Sequence, residues 1–380
     1  MQATETYDVA IIGLGPAGCT LARLLAKEYA IIAIDKKGTA GSFQKPCGGL
    51  LAPDAQKALA RMDMALPKAV LVDPQIFAVQ TIDLTNAISR YYQRFYINID
   101  RHAFDLWLKA QISGNVEICE NARCAWVERT GKGYRMTFDQ DGGKRVVHAT
   151  YLVGADGANS LVRRMLYPNK KIRSYVSIQQ WFAQTKTNPY YSCIFDAETT
   201  DCCAWSISKD GQFLFGGAFP YARAKERFET QKKKLEDVGF VFGPPLKTEA
   251  CMVLRPSAMQ DICCGKDNAF LIGEAAGFIS PSSLEGISWA INSASALAKA
   301  FAAHRKNVNQ AYWRRSFSLR LKLFVKLLKC PPMYHPFLRK LVLKSGLQSI
   351  DVEPSTTLQL PAKRKGGTTA RRTELLRGGV

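Results

Sequence analysis

The chain has 380 residues, of which 47% are hydrophobic and 22% charged. That is the balance of an ordinary globular protein, long enough for two domains or for one domain carrying an insertion. Its net charge of +20 is lopsided: residues 301–380 hold 17 Lys and Arg against 3 Asp and Glu, while the first 300 are nearly balanced. No apolar run approaches the roughly 18 residues of a bilayer span, and no basic stretch followed by an apolar run opens the chain. These features argue against a membrane-spanning or secreted protein, and the 11 cysteines are read as reduced thiols in a cytoplasmic one.

In chain order, "DVAIIGLGPAGCTLARLLA" predicts a buried strand over Val9–Ile12, a glycine turn, and a helix opening at Pro16 with Leu21, Leu24 and Leu25 on one face. In the turn Gly13-Leu14-Gly15-Pro16-Ala17-Gly18, the first glycine makes the bend and the second lets a pyrophosphate approach the backbone. The third lets helix and strand pack closely. The helix N-terminus then offers free N–H groups and the positive end of its dipole to phosphate. The next strand, Ala30–Ile34, ends on Asp35, 20 residues beyond Gly15 and placed to accept ribose hydroxyls. An acid there favours NAD or FAD over NADP. Lys36 adjoins the same site.

"KPCGGLLAP" follows, with a thiol, Cys47, beside two glycines. Glycine pairs occur where a backbone bends sharply or a flat object comes close. Strand-like segments lie around Gln75–Ile82 and Tyr92–Ile99, and a helix runs from Arg101 to Lys109. Residues 115–154 alternate and turn at Gly131–Gly133 and Asp141–Gly143, which predicts a small antiparallel meander. "TYLVGADGANSLVRR" is a strand running into a loop and helix. Residues 175–255 are mostly strands, with one charged helix near Ala222–Leu235. "AFLIGEAAGFISPSSLEGISWAINSASALAKAF" is strand, loop and long helix. Residues 311–350 are helical and basic, and residues 356–380 are a polar, basic tail read as disordered.

Three segments now resemble one family. "GLGPAG", "YLVGADGANSLVR" and "AFLIGEAAGFISPSSLEGI" are similar to the fingerprints of the FAD enzymes that include aromatic hydroxylases and geranylgeranyl reductases. "KPCGGLL" resembles the Cys-Gly-Gly motif of the reductases, and "CCAWSISKDGQFLFGG" resembles their aromatic motif, keeping Trp205 but replacing its Phe-Pro with Ile207-Ser208. "INIDRHAFDLWLK", "QQWFA", "YSCIFD" and "CGKDNAFLIGEAAGFIS" resemble the bacterial CbrA branch.

The resemblance implies an α/β fold: a Rossmann-like FAD-binding domain of the aromatic-hydroxylase type, an antiparallel substrate sheet and a helical C-terminal region. The FAD domain would take residues 1–74, 96–174 and 261–310. The substrate domain would take 75–95 and 175–260, followed by basic helices over 311–355 and the tail 356–380. FAD is the implied cofactor. Asp156 and Gly157 would support its ribityl and phosphate end, together with Gly273 and Glu274, which stand where the family has Gly-Asp. Gly286 and Ile287 would point a helix N-terminus at the flavin pyrimidine. Gly48, Gly49 and Leu50 would lie against the flavin face, and Arg101 would reach the pyrophosphate. Cys47 is the candidate proton donor and Trp205 a wall of the substrate pocket.

Plainer readings stand beside these. Asp156 could cap a helix near Asn159, Glu274 could be a solvated loop acid, Ser283 could cap the long helix, and Cys47 could pack as a small apolar group. Cys202-Cys203 and Cys263-Cys264 are read as structural, since neighbours in a strand face opposite ways. No metal spacing is present.

There is no second GxGxxG, so the electron donor, NAD(P)H or a redox protein, would bind transiently. Over Tyr312–Lys329 six basic residues occur with no acid. Trp313, Phe317, Leu321, Phe324 and Leu328 recur on one helical face. That stripe either covers the catalytic body or lies on an anionic membrane. No nucleic-acid motif accompanies the charge. The leading expectation is reduction of a carbon–carbon double bond in a hydrophobic, isoprenoid or lipid-like substrate by hydride from reduced flavin. The alternatives are a flavin monooxygenase on the same fold and a flavin-carrying binding protein without turnover.

Overall fold

The computed structural model describes residues 5–38, 44–183, 189–303 and 307–352. The tail 356–380 falls outside them. The apolar runs pair in parallel: Glu5–Ile12 lies between Ile31–Ile34 and Gly143–Gly154, with Ile11 opposite both Ala33 and Val153. Val116–Cys119 and Ala269–Leu271 extend this sheet on its two sides, also in parallel. Strands covered on both faces carry continuous apolar runs rather than alternation.

Helices Pro16–Leu25 and Ile287–Ala303 pack on each other within the core formed by this sheet. Gly273, outside both helices, packs close to each: a Cβ there would lie 3.1 Å from that of Ala17 and 3.5 Å from that of Ala290. Leu21 and Leu25, one turn apart, are buried, whereas Leu24 sits at the edge of the stripe and is exposed. The meander expected over 115–154 begins only at Arg123. Val116–Cys119 is claimed by the parallel sheet, because its register partner is the second strand of the nucleotide unit.

The second sheet orders its main strands as Lys247–Leu254, Ser174–Ala183, Gln212–Phe219, Ala204–Lys209, Tyr190–Phe195, Ile76–Asp83 and Ile88–Asn98. It is antiparallel except where Tyr190–Phe195 runs parallel to Ile76–Asp83. Ile88–Asn98 also crosses the boundary placed at residue 95. Helix Ala224–Glu236 covers one face, where Phe228 and Leu235 pack with Ile178, Ile194, Phe215 and Phe219. By alternation, the opposite face carries a row running across five strands. Cys193 stands opposite Trp205, Trp205 opposite Gly216, Gly216 opposite Gln179, and Gln179 opposite Glu249.

Helices Val308–Arg315, Phe317–Leu328, Cys330–Tyr334 and Pro336–Ser345 tie the two sheets together. The Tyr312 hydroxyl donates to the Leu271 carbonyl at 3.0 Å. Arg339 donates through Nε and Nη2 to both oxygens of Asp83, at 2.8 and 3.0 Å, with both side chains buried. Replacing one partner leaves the other charge buried and unpaired. Arg339→Met is therefore expected to lower the unfolding free energy by about 3–5 kcal/mol, read by denaturant titration. Asp83→Leu added to it should recover part of the loss; a neutral single variant would show that the pair does not anchor the helices.

Candidate active site

The nucleotide turn separates glycines that the protein needs from one it does not. Gly13 has φ of 97°, and a Cβ there would stand 2.7 Å from the Ala155 carbonyl oxygen. A Cβ on Gly18 would stand 1.9 Å from the Gly13 carbonyl oxygen, while one on Gly15 would meet no protein atom within 4 Å. Pro16 and Ala17 follow at the helix start, both buried. The space over Gly15 is open beside the helix N-terminus, where a phosphate is favoured.

Asp35 is buried. Its Oδ1 accepts the Lys37 N–H at 3.3 Å, and its Oδ2 has no partner. Asp156 has the same form: Oδ2 accepts the Leu161 N–H at 2.7 Å and Oδ1 is buried without a partner. Burial raises both carboxyls above their ordinary range. Asp156 thus supports the helix start with one oxygen and leaves the other for a ligand. That helix begins at Leu161 with Ser160 as its cap, close to the start expected near Asn159.

Glu274 is not a solvated loop acid. Its Oε1 accepts the Leu254 N–H at 2.9 Å and its Oε2 pairs with Lys45. Burial opposes the charge on Lys45, and the Glu274 carboxylate outweighs it, holding that lysine above its usual range. Glu274 lies beside Gly157, 3.9 Å from the point its Cβ would take, while its pairing with Lys45 clamps the Cys-Gly-Gly loop. Gly273 donates its N–H to Ser293 Oγ at 2.8 Å.

Arg101 binds Asp105 at 3.0 Å, and the Cys47 thiol lies close enough to act on its charge. Lys36 is exposed. The next residue, Lys37, turns inward to Asp105 at 3.0 Å and to the Leu14 carbonyl at 3.4 Å. Burial pushes the Asp105 carboxyl up, but Arg101 and Lys37 outweigh it and hold it below the usual range. The two cations fix the turn and the Cys47 loop against one helix. The sequence reading missed Lys37 and Asp105, because neither belongs to a local motif.

The Cys-Gly-Gly loop lies against protein at both glycines. A Cβ on Gly48 would come 2.9 Å from Ile207 Cδ1, and one on Gly49, whose φ is 64°, 2.4 Å from the Ile99 carbonyl oxygen. Leu50 pairs with Asn98. Lys209 anchors the turn from below, donating to Asn98 Oδ1 at 2.6 Å, the Ile99 carbonyl at 2.8 Å and the Gly49 carbonyl at 3.3 Å. Burial lowers this lysine's pKa to about 8. The Gly49 N–H points back at the Cys47 sulfur, 3.4 Å away. Cys251, on the sheet below, donates to the Pro46 carbonyl, and burial pushes its thiol up to about 11.

Beneath the loop, the Trp205 indole lies across Gly216, whose Cβ would fall 2.7 Å from Nε1. Trp205 Nε1 and Gln179 Oε1 are buried without partners. The Gln179 amide is oriented by Glu249, which accepts from Gln179 Nε2 and Trp181 Nε1, each at 2.9 Å. These polar groups were not identified from sequence, since only the strand register brings them together.

The long helix is capped by Glu285, which accepts the Ser288 N–H at 2.7 Å, while Ser283 bonds Ser280 instead. Burial raises the Glu285 carboxyl. A Cβ on Gly286 would meet only Ile279, at 3.8 Å, so protein packing does not demand glycine there; Ile287 beside it is buried. Cys202-Cys203 and Cys263-Cys264 precede strands rather than lie in them, and all four are buried. Strand alternation therefore does not explain them; burial on both sides does.

Two orphaned carboxylate oxygens, an open glycine turn and a second open glycine at a helix N-terminus fit a flavin dinucleotide. Asp35 would hold the ribose, the 13–18 turn the pyrophosphate, and Asp156-Gly157 the ribityl end. Fold and site define an FAD-dependent oxidoreductase of the aromatic-hydroxylase architecture. An FAD binding domain family matches residues 82–234.

The chain is 54% identical over 348 residues to Protein CbrA of Shigella flexneri serotype 5b (strain 8401), spanning 91% of this chain and 95% of that one. It is 53% identical over 348 residues to Protein CbrA of Escherichia coli K12, spanning 91% and 98%. The chain belongs to the CbrA family, and FAD is its cofactor. Among solved structures it is similar to a geranylgeranyl bacteriochlorophyll reductase-like protein from Thermoplasma acidophilum, with TM-score 0.76 at 18% identity over 90% of this chain and 91% of that one. It is also similar to PqsL, a probable FAD-dependent monooxygenase from Pseudomonas aeruginosa, with TM-score 0.67 at 19% identity over 90% and 100%. At such identities the likeness is one of fold.

Proposed function

We propose that this protein reduces a carbon–carbon double bond in a hydrophobic, isoprenoid or lipid-like molecule. The observation that carries the reading is the arrangement of Cys47. Its thiol accepts the Gly49 N–H over a buried sheet face, within electrostatic reach of Arg101, and that face leaves one donor and one acceptor, Trp205 Nε1 and Gln179 Oε1, unpartnered. The apolar indole and Gly216 give a slender chain a flat wall. The unpartnered pair suits a single hydroxyl-like group that both donates and accepts.

FAD, once bound and reduced, would supply the hydride to one carbon of the alkene. Cys47 gives its Sγ proton to the other carbon, Arg101 stabilises the resulting thiolate, and solvent returns the proton. NAD(P)H or a redox protein, binding transiently, restores the two electrons. A reductase of lipid-like molecules suits a cytoplasmic protein working at the inner membrane face.

The test is to reduce the protein with dithionite under nitrogen, add isoprenoid lipids, and follow the flavin absorbance. Its return in the absence of oxygen supports the reading. A flavin indifferent to every alkene, but reoxidised by air with hydroxylation of the added compound, favours the monooxygenase. Cys47→Ser is expected to slow alkene-dependent reoxidation about 100-fold with FAD content unchanged. An unaltered rate would leave Cys47 a packing residue.

A further inference from the structure

The outward face of the C-terminal helices is not used by the site. Of the 21 large hydrophobic residues exposed among the described residues, 12 lie between Trp313 and Ile350. The stripe Trp313, Phe317, Leu321, Phe324 and Leu328 does not cover the catalytic body. Phe317 is 61% and Leu328 60% exposed, and the helix stands instead on Leu319 and Leu323. Helix Pro336–Ser345 repeats the arrangement: Arg339 and Leu343 face inward, while Phe337 is 61% and Leu341 52% exposed.

Charge on this face has one sign. From Gly286 to Ile350 the chain holds 12 Lys and Arg and no Asp or Glu. Arg314, Arg315, Lys322, Lys326, Lys340 and Lys344 form no ion pair with any described residue. Between the two helices, the Tyr334 ring packs 5.5 Å from Phe195 of the second sheet, and its hydroxyl donates to the Ser282 carbonyl at 2.8 Å. The surface therefore adjoins the junction of the two sheets.

Exposed apolar side chains rimmed by unanswered cations need a partner both apolar and anionic. A second copy of the chain would set cations against cations. Residues 353–380, with six Lys and Arg against two acids, carry the same sign. Nucleic acid would answer the charge but not the phenylalanines and leucines. Among the described residues no helix is long and apolar enough to cross a membrane.

We propose that helices Phe317–Leu328 and Pro336–Ser345 dock on the surface of an anionic phospholipid bilayer. The apolar side chains sit at the acyl boundary and the cations on headgroup phosphates. This goes beyond the proposed reaction and does not depend on it, because docking is read without turnover.

The test is co-sedimentation of the full-length, FAD-loaded protein with vesicles of phosphatidylcholine alone or mixed with phosphatidylglycerol. Binding is expected on the mixed vesicles at low salt and at least about tenfold weaker on phosphatidylcholine or at high salt. Phe317→Ser with Leu321→Ser and Phe324→Ser should weaken it at least about tenfold, and each of Lys322→Gln and Lys326→Gln about fivefold. All are surface changes, so FAD content reports retained folding. A chain ending at residue 352 should still bind. The proposal is overturned by no binding to either vesicle, by equal binding to both without salt dependence, or by a solution dimer that the triple variant dissolves.

Discussion

The Gly15→Val variant folds normally and purifies without FAD. A side chain at Gly15 meets no protein atom within 4 Å, and the backbone there, at φ −80° and ψ −171°, is extended and open to valine. Its unfolding midpoint without cofactor should match that of wild type stripped of FAD, to within about 0.5 kcal/mol. The new methyl groups occupy the space reserved for the pyrophosphate, so FAD affinity should fall at least about 100-fold, read by visible absorbance and by titration of the apoprotein. Gly18→Ala is the contrasting variant: its Cβ would stand 1.9 Å from the Gly13 carbonyl oxygen, so it should lose stability as well as cofactor. If Gly15→Val retains FAD, the pyrophosphate does not lie over this turn.

Lys209→Met should free the Cys-Gly-Gly loop and change how stability varies with pH. The substitution removes the lysine donor from three buried acceptors, Asn98 Oδ1 and the Ile99 and Gly49 carbonyls, of which the Gly49 carbonyl keeps the Ile99 N–H at 2.9 Å. At pH 7 the expected loss is about 1–3 kcal/mol, and Cys47 should be alkylated at least about tenfold faster as opening becomes easier. The pH effect has a definite sign. Burial holds Lys209 at about 8 in the folded protein, against its ordinary 10.5. Below pH 8 both states carry the proton and the cost of burying it is fully present. Between pH 8 and 10.5 the unfolded chain keeps a proton that the folded one has released, so stability rises with pH, by roughly 3 kcal/mol in all. The variant lacks that rise. Equal slopes in the two proteins, with unchanged Cys47 reactivity, would show that the lysine neither titrates there nor anchors the loop.

What could be read from sequence was what local spacing dictates. The strand-turn-helix from Val9 to Leu25 and the carboxylate at Asp35 are set within some thirty residues by spacing, as Gly18 packing on Gly13 shows, although Gly13 itself packs on distant Ala155. Cys47, Asp156 and Trp205 could be singled out because each sits in a recognisable motif. Contacts made by strand register could not: Gln179 meets Glu249 and Trp205 meets Gly216 across neighbouring strands, and nothing in either segment names its partner. Lys36 was chosen over Lys37 for the same reason, since the inward turn of Lys37 depends on Asp105, 68 residues away.

Periodicity found the aromatic stripe of the basic helices but not its direction. Leu319 and Leu323, one turn apart, form a narrower second stripe, and that one is buried. The glycines of the Cys-Gly-Gly loop were assigned to a flavin face, and their nearest protein neighbours are Ile207, Trp205 and Ile99. A glycine pair shows that something comes close without showing what.

The most direct test of the reductase account is the product of one anaerobic turnover. Protein carrying FAD is reduced with dithionite, freed of excess reductant, mixed under nitrogen with isoprenoid alcohols, and the extract is weighed by mass spectrometry. The account predicts one molecule gaining two hydrogens for each flavin oxidised, with no oxygen incorporated and no need for air. A product that appears only in air and carries an added oxygen atom would contradict it.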